Sequence, residues 1–198
     1  TFESKCPFDQ LDRSYQNLIR THVFERELRG VLVGAPLTDV RVTLLAGKAH
    51  EKHTEGGDFR EAVYRALRQG LMQAESILLE PWYAFRIQAD SRQLGRILSD
   101  IQRLQGVFEP PRQQENRVTV NGRGPAAGFI NYSRELAAFT KGKGRFSFRF
   151  DGYEPCQNQE ELAARFSYDP EADLEYTPDS VFCSHGAGYP VKWHQARE

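Results

Sequence analysis

A chain of 198 residues, 39% of them apolar, has room for one large or two small domains with real cores. A net charge of −1 excludes a global pull towards nucleic acid, so any affinity for a polyanion has to come from a local patch. Mean hydropathy is −0.61, no apolar run approaches the roughly 20 residues of a membrane helix, and Thr1 opens a polar segment without the apolar stretch of a signal peptide, so a soluble protein is expected.

The first residue is not Met, which points to a fragment or a processed chain. Cys6, Cys156 and Cys183 are odd in number and far apart. That argues against a disulfide framework and fits a reducing cytoplasm.

Asp12–Leu28 reads as a helix, with Tyr15, Leu18, Ile19, His22 and Val23 at helical spacing. Asp9 or Asp12 is placed to cap it, and Gly30 and Gly34-Ala35-Pro36 end it. Asp39–Ala46 alternates as a strand, and Gly47–Gly57 is a polar loop. Asp58–Gln73 is amphipathic, with Phe59, Val63, Ala66 and Leu67 inward and Arg60, Arg65 and Arg68 on the other face. Leu79–Ala89 follows as a strand with Tyr83, Phe85 and Ile87 on one face. Ser91 is expected to cap a helix carrying Leu94, Ile97, Leu98 and Ile101, which Gly106 terminates. Val107–Arg112 and Arg117–Gly122 read as strands, and Asn131–Thr140 as a short helix.

Thr140–Asp151, TKGKGRFSFRFD, is the most distinctive stretch. Phe146, Phe148 and Phe150 alternate with Arg145, Ser147 and Arg149, so the strand is expected to bury three rings and expose two guanidiniums. The flexible glycine loop before it adds Lys141 and Lys143. Such an edge suits phosphate contact. It equally suits a solvated strand guarded by charge against aggregation. From Leu79 to Asp151 the order is β-α-β-β-α-β, the ferredoxin-like arrangement. Gln157–Phe166 reads as a short helix. The turn-rich remainder carries Tyr168, Phe182, Tyr189 and Trp193, which predict a tail packed on the body.

Catalytic chemistry finds little footing. His50-x-x-His53, with Glu51 and Glu55 nearby, has the residue types of a metal site but sits in a loop, and an exposed tip is the better reading. Cys183-x-His185 lacks a partner pair, and His22 reads as a satisfied core histidine. There is no G-x-S-x-G and no G-x-x-x-x-G-K-[ST], so neither a serine hydrolase nor a GTP site is expected in this chain. An RNA-recognition motif needs aromatics where Lys143 and Arg145 stand. What those residues offer is phosphate contact without sequence reading.

Several short segments come in a familiar order: Gly34-Ala35-Pro36-Leu37-Thr38-Asp39-Val40, then Val42-Thr43-Leu44, Gly47 with His50, and Phe59-Arg60-Glu61-Ala62. The junction Leu78-Leu79-Glu80-Pro81 follows, then Lys141-Gly142-Lys143-Gly144-Arg145-Phe146 and Gly152-Tyr153-Glu154-Pro155. Together they resemble the fourth and fifth domains of elongation factor G-like translational GTPases. Leu78–Phe85, Phe150–Tyr153 and the C-terminal extension are most similar to the ribosomal protection proteins of tetracycline resistance. Where those carry a Tyr-Ser-Pro-Val-Ser type tip, this chain reads His50-Glu51-Lys52-His53-Thr54-Glu55, charged rather than apolar.

The resemblance implies an α+β chain: a βαβ module like domain IV at residues 1–77, a ferredoxin-like domain at 78–153, and an extension at 154–198. It implies a tip at Cys6–Asp12 and Lys48–Gly56, with Lys48, His50, Lys52 and His53, that reaches the small-subunit decoding centre. Lys141, Lys143, Arg145 and Arg149 would meet ribosomal RNA at the large-subunit factor site. It also implies a monomer working in the cytoplasm, away from membranes, with neither cofactor nor catalytic residue in this part. GTP and Mg would belong to the rest of a longer GTPase. An ordinary translocation factor is the nearest alternative. A small ferredoxin-like hydrolase, such as an acylphosphatase, or a generic RNA-binding module are alternatives of another class. The hydrolase would need a glycine-rich phosphate loop with a catalytic Arg, where this chain has Asp90-Ser91-Arg92.

Overall fold

A computed structural model describes residues 1–50 and 54–196. The chain divides into two compact units, Thr1–Ser76 with Asn158–Glu198, and Ile77–Gln157.

In the first unit β1 (Phe2–Ser4) pairs in parallel with β2 (Val42–Leu44), Phe2 opposite Val42 and Ser4 opposite Leu44. The connection contains α1 (Arg13–Phe24), capped by the Asp12 carboxylate, which accepts from the Ser14 amide at 2.8 Å. β2 is shorter than the alternation predicts because Asp39 adopts φ 55°, outside the extended region. α2 (Gly56–Gln73) starts earlier than its apolar pattern, at a capping box between Glu55 and Asp58. Cys6, Leu11, Ile19, Val23, Phe59 and Val63 form the core, and Tyr15 stacks on Phe59 at 4.8 Å.

The expected inward face of α2 needs correction. Ala66 is exposed, and Arg68 is 3% exposed rather than solvated. The reason lies beyond α2. Arg68 donates to the Arg29 carbonyl at 2.9 Å and to the Tyr168 hydroxyl at 2.6 Å, so its charge is buried among acceptors. The C-terminal segment supplies more such contacts. Tyr176 donates to the Glu27 carbonyl at 2.9 Å, and the Arg26 guanidinium lies between the rings of Tyr64 at 3.6 Å and Tyr176 at 4.4 Å. The segment contains α6 (Gln159–Phe166) and a hairpin of β8 (Ser180–Ser184) and β9 (Ala187–Val191). His185 and Gly186 turn the hairpin with φ 51° and 80°, both left-handed as a tight two-residue turn requires. Phe182 and Tyr189, expected to pack, stand opposite each other on it and stay partly exposed.

The strands of the second unit are β3 (Leu79–Asp90), β4 (Val107–Phe108), β5 (Arg112–Gln114), β6 (Arg117–Pro125) and β7 (Arg145–Pro155). They form an antiparallel sheet in the order β4-β6-β3-β7, with β5 also on β6. α3 (Leu94–Arg103), α4 (Ala126–Phe129) and α5 (Tyr132–Phe139) complete the unit, and with β4 and β5 counted as two pieces of one strand on β6 and α4 with α5 as one helical connection the order is β-α-β-β-α-β. Their Ile97, Ile101, Phe129, Tyr132 and Leu136 pack on Phe85, Ile87, Ala89, Val118 and Val120, so the helices lie on one face of the sheet. A 3₁₀ turn, Ser91–Gln93, precedes α3 and is capped by Asp90 rather than Ser91, because the Asp90 carboxylate accepts from the Arg92 amide at 3.0 Å. α3 ends with Gln105 in the left-handed position at φ 59°. Gly106 serves another purpose, since a Cβ there would stand 2.8 Å from Phe129.

The expectation for β7 is corrected too. Only Phe146 packs into the core, against Phe85, Phe129 and Tyr132. Phe148 and Phe150 are exposed. β7 is an edge strand, and the helical layer reaches only its beginning. A bulge then inserts Asp151 and Gly152 opposite Trp82, with Gly152 at φ 97°. The extra residue returns Tyr153 to the face of Phe150, their rings 5.4 Å apart. Arg123 bridges the bulge by donating to Asp151 at 2.9 Å and Glu154 at 2.7 Å.

Candidate nucleic-acid interface

Strand alternation sends Phe85, Ile87 and Ala89 to the helices and therefore Ala84, Arg86 and Gln88 to the opposite, helix-free face. The register extends that face across the sheet. Arg86 stands opposite Asn121 and Ser147, Gln88 opposite Thr119 and Arg145, and Ala84 opposite Arg149. Arg117 stands opposite Asp90, and Arg112 opposite Thr119. Arg86, Arg112, Arg117, Arg145 and Arg149 are all exposed. A shallow hollow of about 390 Å³ lies at the centre, lined among others by Ala84, Arg86, Asn121, Ser147 and Arg149, with Glu109 as its acid.

Charge pairing divides these groups. Arg123 is neutralised by Asp151 and Glu154, and Arg149 lies 3.8 Å from Asp151. Arg86, Arg112, Arg117 and Arg145 have no carboxylate within ion-pair distance among the described residues. Asp90 is held at about 2 by hydrogen bonds from Arg92, with the Lys143 charge adding to the effect, so it stays ionised. The face thus presents guanidiniums in excess over its acids, Glu109 and Asp90, set among neutral Gln, Asn, Thr and Ser side chains, a surface suited to phosphate oxygens.

The loop before β7 is more rigid than its glycines suggest. The Thr140 hydroxyl donates to the Leu136 carbonyl at 2.6 Å and accepts from the Gly144 amide at 2.9 Å. Lys141 and Gly142 take left-handed conformations that end α5, with Gly142 donating to the Ala137 carbonyl at 2.9 Å. Lys141 and Lys143 stay exposed on this fixed frame.

The residues read as a tip belong to the other unit. Lys48 and His50 are exposed, and His50 exchanges bonds with Thr54, its amide donating to the Thr54 hydroxyl at 2.7 Å. Lys52 and His53 lie outside the described residues. No three His, Cys, Asp or Glu side chains converge on a metal-sized site among the described residues. His22 is buried with Nδ1 3.0 Å from Glu25, but its Nε2 has no partner among the described residues, so it is only half satisfied by them. Glu25 also receives Arg60 at 2.8 Å and the Tyr64 hydroxyl. Tyr64 first, then His22 and Arg60, hold its carboxyl at about 2.

Arg86, Arg112 and Arg117 escaped the reading of the sequence. Their signal was present in the alternations Phe85-Arg86-Ile87-Gln88 and Arg117-Val118-Thr119-Val120. Reading the inward face of each strand also fixes what the outward face must carry.

Comparison with known proteins adds the family. Residues 1–75 match the family described as elongation factor G, domain IV, and residues 77–162 match the elongation factor G C-terminus. Tetracycline resistance protein TetP of Clostridium perfringens is 28% identical over 174 residues, covering 87% of this chain and 26% of TetP. Elongation factor G 1 of Synechocystis sp. is 30% identical over 155 residues, covering 78% of this chain and 22% of that protein. A crystal structure of a Thermus thermophilus protein superposes with a TM-score of 0.73 at 27% identity, over 83% of this chain and 25% of its own. The chain therefore spans about a quarter of the length of the relatives it matches.

Proposed function

The chain belongs to the elongation factor G family, and on that premise we propose that it is the ribosome-contacting part of a translational GTPase of the tetracycline-resistance protection type. The helix-free sheet face of the second unit carries this reading. It concentrates exposed guanidiniums in a chain whose net charge is only −1, so the charge is local and placed. Arg86, Arg112, Arg117, Arg145 and Arg149 would engage phosphates of large-subunit RNA, with Lys141 and Lys143 at one end. Lys48, His50, Lys52 and His53 of the first unit would approach the decoding centre. GTP and Mg would be bound by sequence outside this chain, and the whole protein would act in the cytoplasm as a monomer. No helix among the described residues is long and apolar enough to cross a membrane.

The similarity to TetP extends over more of this chain than that to elongation factor G 1, which favours the protection type. The slightly higher identity to elongation factor G 1 keeps translocation as the second reading. The test is binding of this chain to purified ribosomes over a salt series, with Arg86, Arg117, Arg145 and Arg149 replaced by Gln. Binding should weaken and the salt slope should fall by up to about 3 to 4 units, since each phosphate contact contributes roughly 0.9. An unchanged titration would leave these residues as guards of a strand edge.

A further inference from the structure

The helix-free face of the second unit has a layout that phosphate contact alone does not explain. One row across the sheet, followed through the register, reads Arg112, Thr119, Gln88, Arg145, a cation at each edge and neutral side chains between. Three strand spacings separate the two arginines, about 14 Å. Arg117 adds to the first edge and Lys143 to the second. In the next row Asn121 and Ser147 flank Arg86. Among the described residues the side chains of Gln88, Thr119, Asn121 and Ser147 make no hydrogen bond to the protein, so their hydroxyls and amides are open to a ligand. Of the acids on this side, Asp90 is engaged by Arg92, and Asp151 and Glu154 by Arg123. Glu109, lining the hollow with Asn121, has no arginine partner among the described residues, against four unpaired arginines, so the balance stays cationic.

Two observations choose the form of RNA. The first is what the face lacks. Among the described residues Trp82 is the only ring at an outward position of this sheet, and it is buried, with the Arg123 guanidinium over it at 5.0 Å. Single strands are held by stacking their bases on exposed rings, and this face offers none. A base-paired helix has its bases already stacked and asks only for contacts to its backbones. The second is the neutral strip between the cationic edges. A-form RNA presents a wide, shallow minor groove lined with 2′-hydroxyls and bordered by two backbones. Hydroxyls and amides between cations about 14 Å apart match that groove. The minor groove of B-DNA is only ~6 Å wide, and DNA has no 2′-hydroxyl.

We propose that this face takes a base-paired RNA helix across its minor groove, with Arg112 and Arg117 on one backbone, Lys143 and Arg145 on the other, and Thr119 and Ser147 on 2′-hydroxyls between them. The proposal rests on the ribosomal reading above and names the form of RNA that its cationic face accepts. Backbone and hydroxyl contacts carry no base sequence, so the face selects a helical form and not a sequence.

The experiment measures binding of this chain, at fixed salt, to an RNA duplex of about 16 base pairs, to the same sequence as a DNA duplex, and to one RNA strand alone. The RNA duplex should bind tightest. Thr119→Val with Ser147→Ala removes two hydroxyls and no charge. It should narrow the preference for RNA duplex over DNA duplex by about 2- to 10-fold per hydroxyl and leave DNA binding unchanged. Arg112→Gln and Arg145→Gln should each weaken both duplexes and lower the salt slope by roughly 0.9. Trp82 fluorescence confirms that each variant is folded. Equal binding of the two duplexes, tighter binding of the single strand, or an RNA preference that survives the hydroxyl variants would overturn the proposal. So would binding to none of the probes at low salt, which would leave the face to an acidic protein partner. If ribosome binding depends on the four arginines tested above while the RNA and DNA duplexes bind alike, this inference fails and the ribosomal reading stands. If the RNA-duplex preference holds and the chain ignores ribosomes, only the ribosomal reading fails.

Discussion

Arg68 donates to the hydroxyl of Tyr168 at 2.6 Å across 100 positions of sequence. The same guanidinium holds the Arg29 carbonyl, and the Tyr168 hydroxyl donates onward to Asp173 at 2.6 Å. One buried charge therefore joins α2, the turn after α1 and the C-terminal segment of the first unit.

Replacing Arg68 by Met removes the charge and leaves a buried carbonyl and the hydroxyl short of a donor. The first unit should lose about 1–3 kcal/mol. Tyr168→Phe removes only the hydroxyl and should cost about 1 kcal/mol. The two tryptophans, Trp82 and Trp193, lie in different units, so in a Trp82→Phe background Trp193 reports on the C-terminal segment. Urea unfolding followed at Trp193 checks both values. A midpoint that does not move with Arg68→Met would show that the segment is held by other contacts.

Glu25 predicts an acid-sensitive first unit. Its carboxyl is lowered from 4.5 to about 2 in the folded chain, so the folded state binds this proton less readily than the unfolded state. The contribution to stability is present above about 4.5 and is lost as pH falls towards 2. Glu25→Gln should flatten that part of the stability–pH curve and leave the curve above pH 5 parallel to the parent. Urea titrations at several pH values measure this. An unchanged acid limb would place the sensitivity elsewhere.

The Lys-Gly-Lys-Gly loop separates into two jobs that mutation can resolve. A Cβ at Gly144 would stand 2.7 Å from Leu136 and 2.8 Å from the Thr140 hydroxyl. Gly144→Ala should therefore destabilise the second unit by about 1–3 kcal/mol, through overpacking. Lys141→Ala with Lys143→Ala should leave stability within about 0.5 kcal/mol, because both are exposed. Unfolding followed at Trp82 distinguishes them. Equal effects would mean that the glycine is not part of the packing.

Local periodicity carried much of this structure in plain view. Phe85, Ile87, Val118 and Val120 alternate, and Ile97 with Ile101 recurs at helical spacing, so the ferredoxin-like unit could be read directly. What escaped depended on distant partners. Arg68 looks like any outward arginine until Tyr168 arrives from the far end of the chain. Phe148 and Phe150 alternate as perfectly as Phe146, but periodicity reports which residues share a face, not how far the helices extend over it. The bulge at Gly152 is invisible to a period-two count because it breaks the count. Of the proposed interface, Arg145 and Arg149 announced themselves beside a glycine-lysine loop, whereas Arg86, Arg112 and Arg117 became neighbours only once strand order was known.

The first unit is assembled from both ends of the sequence, with the second unit occupying the stretch between them. A nascent chain emerges in one direction, so the two units cannot finish in the order in which they start. Once residue 157 has left the exit tunnel, every strand of the ferredoxin-like sheet is outside, and that unit can fold as a whole. The core of the first unit, from Cys6 to Val63, is outside before that, but its closure must wait, with Arg26 resting on Tyr64 alone until Tyr176 emerges. During that interval the half-built unit is the one exposed to proteases and chaperones. Premature termination shortly after residue 157 would spare the later-starting unit and leave the earlier one with its core but with Arg68 and Arg26 short of their partners Tyr168 and Tyr176.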